Sequence, residues 1–452
     1  MGLASLGLAV SLLLLAEPPE PVSEQPPGLS AADTPIERSL QELVERPERW
    51  EFDLAARLEF RAGQPDGSAP GTNITDMELD PVVAMRGPLR TGSVTLAYEP
   101  RIFITLGQNP GDAPKTVSYL HRGHFVLDLK PSPLWRWFFE ARTAYGEYDF
   151  LPLSTVIPQT GGTGLPPTQP TVPGAPPVAP RPTPGVSTLP DQRFVLVIDV
   201  DASTGVVGGL SPRVSWLLSA GYTYSGGANT EAQALIPLQQ GPKAATGVLW
   251  SVGPNDNLAT LLNGSESNYS SGPEAAVANL TEGWSHVWSR RIATDLIAGI
   301  GGFHSVVPAQ GTTPGRTENK LLPVLGLAVR DAWVTRAFSW RNSLAFLAAP
   351  LPDQINGVVY ERLSAVFRST MAPGEHLLLE VSGGVTDTLT AAQLDARIEG
   401  KGTYMFNPQV GISVGGRVAW LQGSSLLPTG FGWLCFVAVG AYFGSPLVGT
   451  PL

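Results

Sequence analysis

The sequence predicts an all-β chain closed into a transmembrane antiparallel up-and-down β-barrel of about eighteen strands, sixteen being the other count that fits. Three observations carry this. Apolar and polar residues alternate with period two from residue 50 almost to the end, Pro- and Gly-rich connections alternate between short and long, and Trp and Tyr gather near strand ends.

Composition agrees with a wall that has two faces. Charged residues make up 15% of the 452-residue chain, against about 25% in a typical soluble protein, yet mean hydropathy is only +0.06. A helical membrane protein would be far more hydrophobic and carry apolar runs of about 20 residues. Middling hydropathy with few charges results when one residue in two faces lipid and its neighbour faces water. A net charge of −10 without a Lys/Arg cluster excludes a nucleic-acid partner. Cys435 stands alone and cannot form an internal disulfide; its apolar stretch makes it a small lipid-facing or packed residue. His121, His124, His286, His304 and His376 are scattered, so neither a metal site nor a cofactor is expected.

The elements follow in chain order. Residues 1–16 contain GLASLGLAVSLLLLA, an apolar segment of signal-peptide length that is too short to span a membrane as a helix. No Lys or Arg precedes it, and an uncleaved anchor is the alternative. Residues 17–49 form a periplasmic segment, Pro-rich at first, with a short helix at IERSLQELVE that puts Ile36, Leu40 and Leu43 on one face. So little chain before the first strand disfavours the folded plug of an energised receptor.

From Trp50 the period is two. Phe52, Leu54, Ala56, Leu58 and Phe60 alternate with Glu51, Asp53, Ala55, Arg57, Glu59 and Arg61, so one face is apolar and the other strongly charged. A soluble sandwich would bury that apolar face against a second sheet, whereas a barrel in lipid turns it outward. Further stretches of this kind place strands at 50–61, 77–87, 92–105, 117–130, 135–148, 193–206, 213–225, 242–252 and 257–269. The second half of the wall follows at 275–288, 293–306, 320–333, 338–349, 357–369, 376–387, 391–405, 409–421 and 430–444. The barrel thus occupies 50–445, and 446–452 is a C-terminal tail.

Short connections such as GPLRTG (87–92), GLSPR (209–213) and FNPQ (406–409) are tight-turn sequences. Long ones run at 62–76, 106–116, 149–192, 226–241 and 307–319. Short periplasmic turns and longer outer loops mark outer-membrane barrels of Gram-negative bacteria, with both termini in the periplasm. The longest loop, 149–192, is Pro-, Thr- and Gly-rich and serves as an extended surface tuft or a lumen constriction. Trp50, Trp135, Trp137, Trp216, Trp250, Trp288, Trp333 and Trp340 fall near the periplasmic strand ends. Tyr145, Tyr148, Tyr222, Tyr224, Tyr269 and Tyr360 fall near the opposite ends. Two aromatic girdles at the membrane–water boundaries are expected.

Candidate site residues are the charges on the polar face. One ladder is Glu51, Asp53, Arg57, Glu59 and Arg61; a second is Asp395, Arg397, Glu399 and Lys401. Smaller sets are Glu99/Arg101, Glu140/Arg142, Arg122/His124/Asp128/Lys130 and Asp199/Asp201. In a wide barrel they line water and shape the field felt by a solute; the structural reading is that they pair and stiffen the wall. Neither sign dominates, so no strong ion preference is expected. Catalysis is disfavoured and no catalytic residue is assigned. Ser285–His286 and His304–Ser305 are adjacent, and neighbours on a strand point to opposite faces, so neither couples a serine to a base. Glycine clusters such as 299–302 lie mid-strand, where they relieve crowding rather than cradle phosphate.

Segments such as GGLSPRVSWLLSAGYTYSGG (208–227) and LTEGWSHVWSRRIATDLIAGIG (280–301) make the chain similar to porin-like barrels of about eighteen strands associated with exopolysaccharide secretion. The resemblance implies an outer-membrane channel giving passive passage to a secreted polysaccharide or to small polar solutes. Surrounding lipid, the barrel-assembly machinery and a periplasmic polymer-export protein would be its partners. A non-conducting barrel with binding or adhesive loops is the alternative, and a lipid-modifying barrel enzyme a third reading. Many barrels end in an aromatic residue read during assembly; this chain ends Gly449-Thr450-Pro451-Leu452, with Tyr442 and Phe443 nearest.

Overall fold

The computed structural model describes residues 50–64, 74–107, 117–132, 134–149, 194–211, 213–289, 291–309, 314–335, 338–352, 359–374, 376–388, 393–407, 409–422 and 430–444. The predicted signal segment (1–16), the periplasmic segment 17–49, nearly all of the loop 149–192 and the tail 446–452 lie outside the described residues.

Eighteen strands form the wall among the described residues. They are β1 (Glu51–Gln64), β2 (Ile74–Leu89), β3 (Gly92–Gly107), β4 (Val117–Ser132), β5 (Trp135–Asp149), β6 (Phe194–Ser211), β7 (Val214–Gly227), β8 (Gln239–Ser251) and β9 (Asp256–Tyr269). Then come β10 (Glu274–Val287), β11 (Ile292–Val307), β12 (Arg316–Thr335), β13 (Phe338–Pro352), β14 (Val359–Pro373), β15 (Leu377–Thr388), β16 (Gln393–Asn407), β17 (Val410–Gln422) and β18 (Gly430–Gly444). Each pairs antiparallel with its neighbours in the chain, and β1 closes the sheet on β18 from Asp53↔Gly444 to Gln64↔Trp433. Closure gives every strand a partner on each side, the condition for a β-structure to stand in lipid, although residues 316–324 of β12 lack a β13 partner. One end carries mostly short turns and the other mostly long connections. An exception is the four-residue connection 270–273 at the long-loop end, which turns at Gly272 with φ +104°.

Sidedness follows the predicted period. On β1, Phe52, Leu54 and Phe60 are exposed outward while Glu51, Asp53, Glu59 and Arg61 are buried inward. Leu218, Leu280, Ile300, Leu325, Phe346, Ile398, Val414 and Val437 extend the apolar exterior around the ring. Cys435 shares that outer face. An exposed apolar belt of this extent is stable only against acyl chains, so the barrel is of the outer-membrane kind.

Proline shapes the wall by a simple rule. Pro81 on β2 stays in register with Ala56 of β1, but β2–β3 pairing lapses between Leu79↔Ile102 and Val83↔Tyr98, where Pro81 would face Pro100. Pro100 in turn stays opposite His121 of β4. Pro242 keeps Tyr222 of β7 and loses β9, whose pairing lapses between Gln240↔Asn268 and Lys243↔Ser265. Pro323 keeps Ile300 of β11 and Pro350 keeps Glu361 of β14, while β12–β13 pairing stops at Leu325↔Ala348. A residue without an N–H can serve the ladder on one side only. In each case the strand keeps one neighbour and lets the other go.

Two elements turn inside at the long-loop end. After β7, the helix α1 (Thr230–Leu235) starts at Asn229, whose side chain accepts the Ala232 N–H at 2.8 Å. Ala232 and Ile236 then bury against Phe103, Leu120, Ala144, Val195 and Val197 on the inner faces of β3 to β6. Across the mouth, the end of the β13–β14 hairpin leaves the wall and packs on the inner faces of β9 to β11.

Candidate functional site

The inner wall holds the candidate site, and its charges reach it because each sits one residue away from an outward apolar neighbour. Glu99 and Arg101 come from β3, Glu140 and Arg142 from β5, and Arg397, Glu399 and Lys401 from β16. Asp395 belongs to β16 opposite Thr386 and Leu421; its side chain lies outside those described.

These side chains meet one another rather than stand free. Arg61 Nη1 lies 2.7 Å from Glu78 Oε2, and Arg101 Nη1 lies 3.4 Å from Glu78 Oε1. Arg57 pairs with Glu59 and Arg142 with Glu140. Arg122 Nη2 is 3.1 Å from Glu99, and His124 Nε2 is 3.2 Å from Glu140. Arg136 Nε donates to Asp128 at 2.6 Å. Lys243 of β8 pairs with Asp201 of β6, which also accepts from Thr223 Oγ1 at 3.0 Å. On β14 to β17, Glu380 takes Arg368 at 3.0 Å and Lys401 at 2.7 Å, while Arg417 approaches Glu399 to 2.6 Å. Arg61 also sits 5.5 Å over the Phe103 ring.

Of the ladder expected to line water, Glu51, Asp53, Glu59, Arg61 and Glu140 are buried, Arg61 to 2% exposure, whereas Arg57, Arg101 and Glu399 stay partly exposed. Carboxylates and guanidiniums on adjoining strands stand within reach of each other. The partners that the sequence reading passed over are Asp76, Glu78 and Asp80, which share the inner parity of β2, together with Lys243, Arg368, Glu380 and Arg417. That reading began the second strand at residue 77; the same-parity acids of ITDMELDP were the available signal.

The charged belt covers only part of the circumference. Among the described residues the inner faces of β9 and β10 carry no charge and present Asn263, Ser267, Asn279, Thr281 and Ser285. An apolar patch of Val207, Leu217, Ala245, Leu249, Ala259 and Leu261, with Phe138 against it, occupies the inner wall from β5 to β9. Gly205 and Gly247 let Phe138 and Leu261 lie flat there, since a Cβ at either position would strike those side chains.

The aromatic residues divide less cleanly than predicted. Trp50, Trp135, Trp250, Trp288, Trp333 and Trp340 are exposed outward at the short-turn end, with Trp137 and Trp216 half-buried beside them. Trp135 and Trp216 meet edge to face at 5.5 Å. Trp284, missed earlier, joins them, but Trp420 and Trp433 sit at the long-loop end. Tyr145 and Tyr222 are exposed and Tyr224 half-buried on the outer face. Tyr269 must be corrected: it falls on the inward parity of β9 and buries with Ala275, Val277, Phe303 and Val359. Tyr360 also has the inward parity of β14, and the side chain of Tyr148 lies outside those described.

Ser285 and His286 part as expected. Ser285 Oγ donates to Asp295 inside at 2.6 Å, whereas His286 Nδ1 lies 2.7 Å from Asp256 on the outer face. His304, likewise outward, meets Asn319 at 2.7 Å, while Ser305 is buried on the inner face.

Comparison with solved structures finds this chain similar to Pseudomonas aeruginosa OpdK, crystallised with vanillate, at a TM-score of 0.41 and 11% identity over 88% of this chain and 99% of that one. It is similar to Acinetobacter baumannii OccAB4 at a TM-score of 0.43 and 8% identity, over 89% and 99% of the two chains. For Pseudomonas aeruginosa OprD the values are 0.38 and 9%, over 88% and 96%. No curated protein matches the sequence. A family match runs from residue 50 to residue 439, nearly the whole wall that β1 and β18 close, and by it the chain belongs to the EpsX exopolysaccharide export family.

Proposed function

We propose that the barrel is a passive outer-membrane passage for a polysaccharide on its way out of the cell, and that it performs no covalent chemistry. The observation that carries this reading is a closed eighteen-strand wall, apolar outside and polar along much of its inside, over the residues that match an export family. Barrels of 16–18 strands leave an aqueous bore, and a hydrated polymer needs a route that avoids acyl chains. The short-turn end faces the periplasm, where a polymer-export protein hands the chain over, and the barrel-assembly machinery inserts the protein. The separation of Ser285 from His286 by the thickness of the wall speaks against a hydrolytic pair.

Deleting the gene in its host tests this. Extracellular polysaccharide is expected to fall sharply while polymer accumulates in the periplasm, with growth on small solutes unchanged. Undiminished extracellular polymer together with impaired uptake of small solutes would make general diffusion the function instead.

A further inference from the structure

The outer face is not uniform around the ring. From Phe431 to Phe443 every outward residue of β18 is apolar. On β10 the outward apolar run is Ala276, Ala278 and Leu280, and Glu282 then breaks it. Among the described residues, no other Asp, Glu, Lys or Arg points outward at five or more residues from both ends of its strand.

Glu282 lies five residues from Val287 at the short-turn end of β10 and eight from Glu274 at the other. At about 3.4 Å per residue and a tilt of about 40°, it stands about 13 Å up the wall, inside an apolar band about 25 Å tall. Its side chain is exposed and accepts a hydrogen bond from Thr260 Oγ1 of β9 at 2.6 Å. Val248, Leu262, Leu280, Ile300 and Leu325 surround it, all exposed. Acyl chains offer nothing to a carboxyl group, and one hydroxyl cannot satisfy both of its oxygens. Lipid is the wrong cover for this face.

We propose that this face is a contact between two copies of the chain, related by a two-fold axis along the membrane normal that passes beside Glu282. Such an axis keeps every residue at its own depth. The group that meets a mid-wall carboxyl is therefore the outward polar group of equal depth, the partner's Glu282. The two carboxyls hydrogen-bond to each other across the axis with a proton between them, each steadied by its own Thr260. Polar groups of this kind join membrane-spanning elements where apolar surfaces prefer each other no more than lipid. Close approach is provided for: Ala298 of β11 stands directly opposite Glu282, and Gly264, Ala276, Ala278 and Gly302 keep the outer face low toward the long-loop end. The unbroken apolar run of β18 is left to lipid.

Site-directed crosslinking of the full-length protein in outer-membrane vesicles tests it, in a Cys435→Ser background with folding checked by heat-modifiable gel migration. Leu280→Cys and Ala298→Cys, beside Glu282, should each give a chain-to-chain disulfide on mild oxidation, and Val439→Cys on β18 should give none. Adding Glu282→Leu should weaken the association about tenfold, the weight of a hydrogen bond made within lipid. Glu282→Gln, whose amide can pair with its own copy, should retain it. No disulfide at residues 280 and 298, equal crosslinking at residue 439, or undiminished crosslinking in folded Glu282→Leu would overturn the contact. Should Glu282→Leu not fold, the contrast between residues 280 and 298 and residue 439 decides alone. Cargo has no part in the readout, so each result leaves the passage reading where it stands.

Discussion

Lys243 and Asp201 illustrate the residue scale. Both are buried on the inner wall, on strands separated by β7, and the pair is completed by Thr223. A buried charge whose partner is removed keeps its desolvation cost without the compensating attraction, and such losses run to about 3–5 kcal/mol. Lys243→Met is therefore expected to destabilise the barrel by about that amount, read from urea unfolding followed by tryptophan fluorescence. Lys243→Met/Asp201→Leu should recover most of the loss; a double variant as unstable as the single would show that the pair is not what matters there. The ladders themselves were legible because Glu51 to Arg61 and Arg397 to Lys401 alternate with apolar residues. Their pairing was not, since it depends on which residue of the next strand stands opposite.

Among elements, the strands were the most legible. A period of two is a local property, and every predicted strand is present, with ends displaced by at most five residues, as where 193–206 becomes Phe194–Ser211. α1 was passed over inside the loop predicted at 226–241, although Asn229, Glu231 and the Ala/Leu run carried an N-cap signal. The inward hairpin end was hidden for a different reason: Pro323 and Pro350 read as ordinary strand prolines until the register sets them face to face. The same rule makes a prediction at β2–β3. Pro81→Val/Pro100→Val would supply the two missing N–H groups where Pro81 faces Pro100, and both new amides should exchange slowly, like those of the flanking pairs. Fast exchange at both new amides in the folded variant would show that the prolines are not what interrupts the ladder.

For the whole molecule, everything turns on which way the two faces of the wall point. β1 is the best place to ask, because Phe52, Leu54 and Phe60 are exposed outward while Asp53, Glu59 and Arg61 are buried inward. Single cysteines at residues 52–61, in a Cys435→Ser background and labelled with a fluorophore, can be reconstituted with brominated lipids. Strong quenching is predicted at Phe52, Leu54, Ala56, Leu58 and Phe60, and weak quenching at Asp53, Ala55, Arg57, Glu59 and Arg61. Quenching without alternation, or confined to the odd positions, would contradict a barrel that meets lipid outside and encloses a passage within.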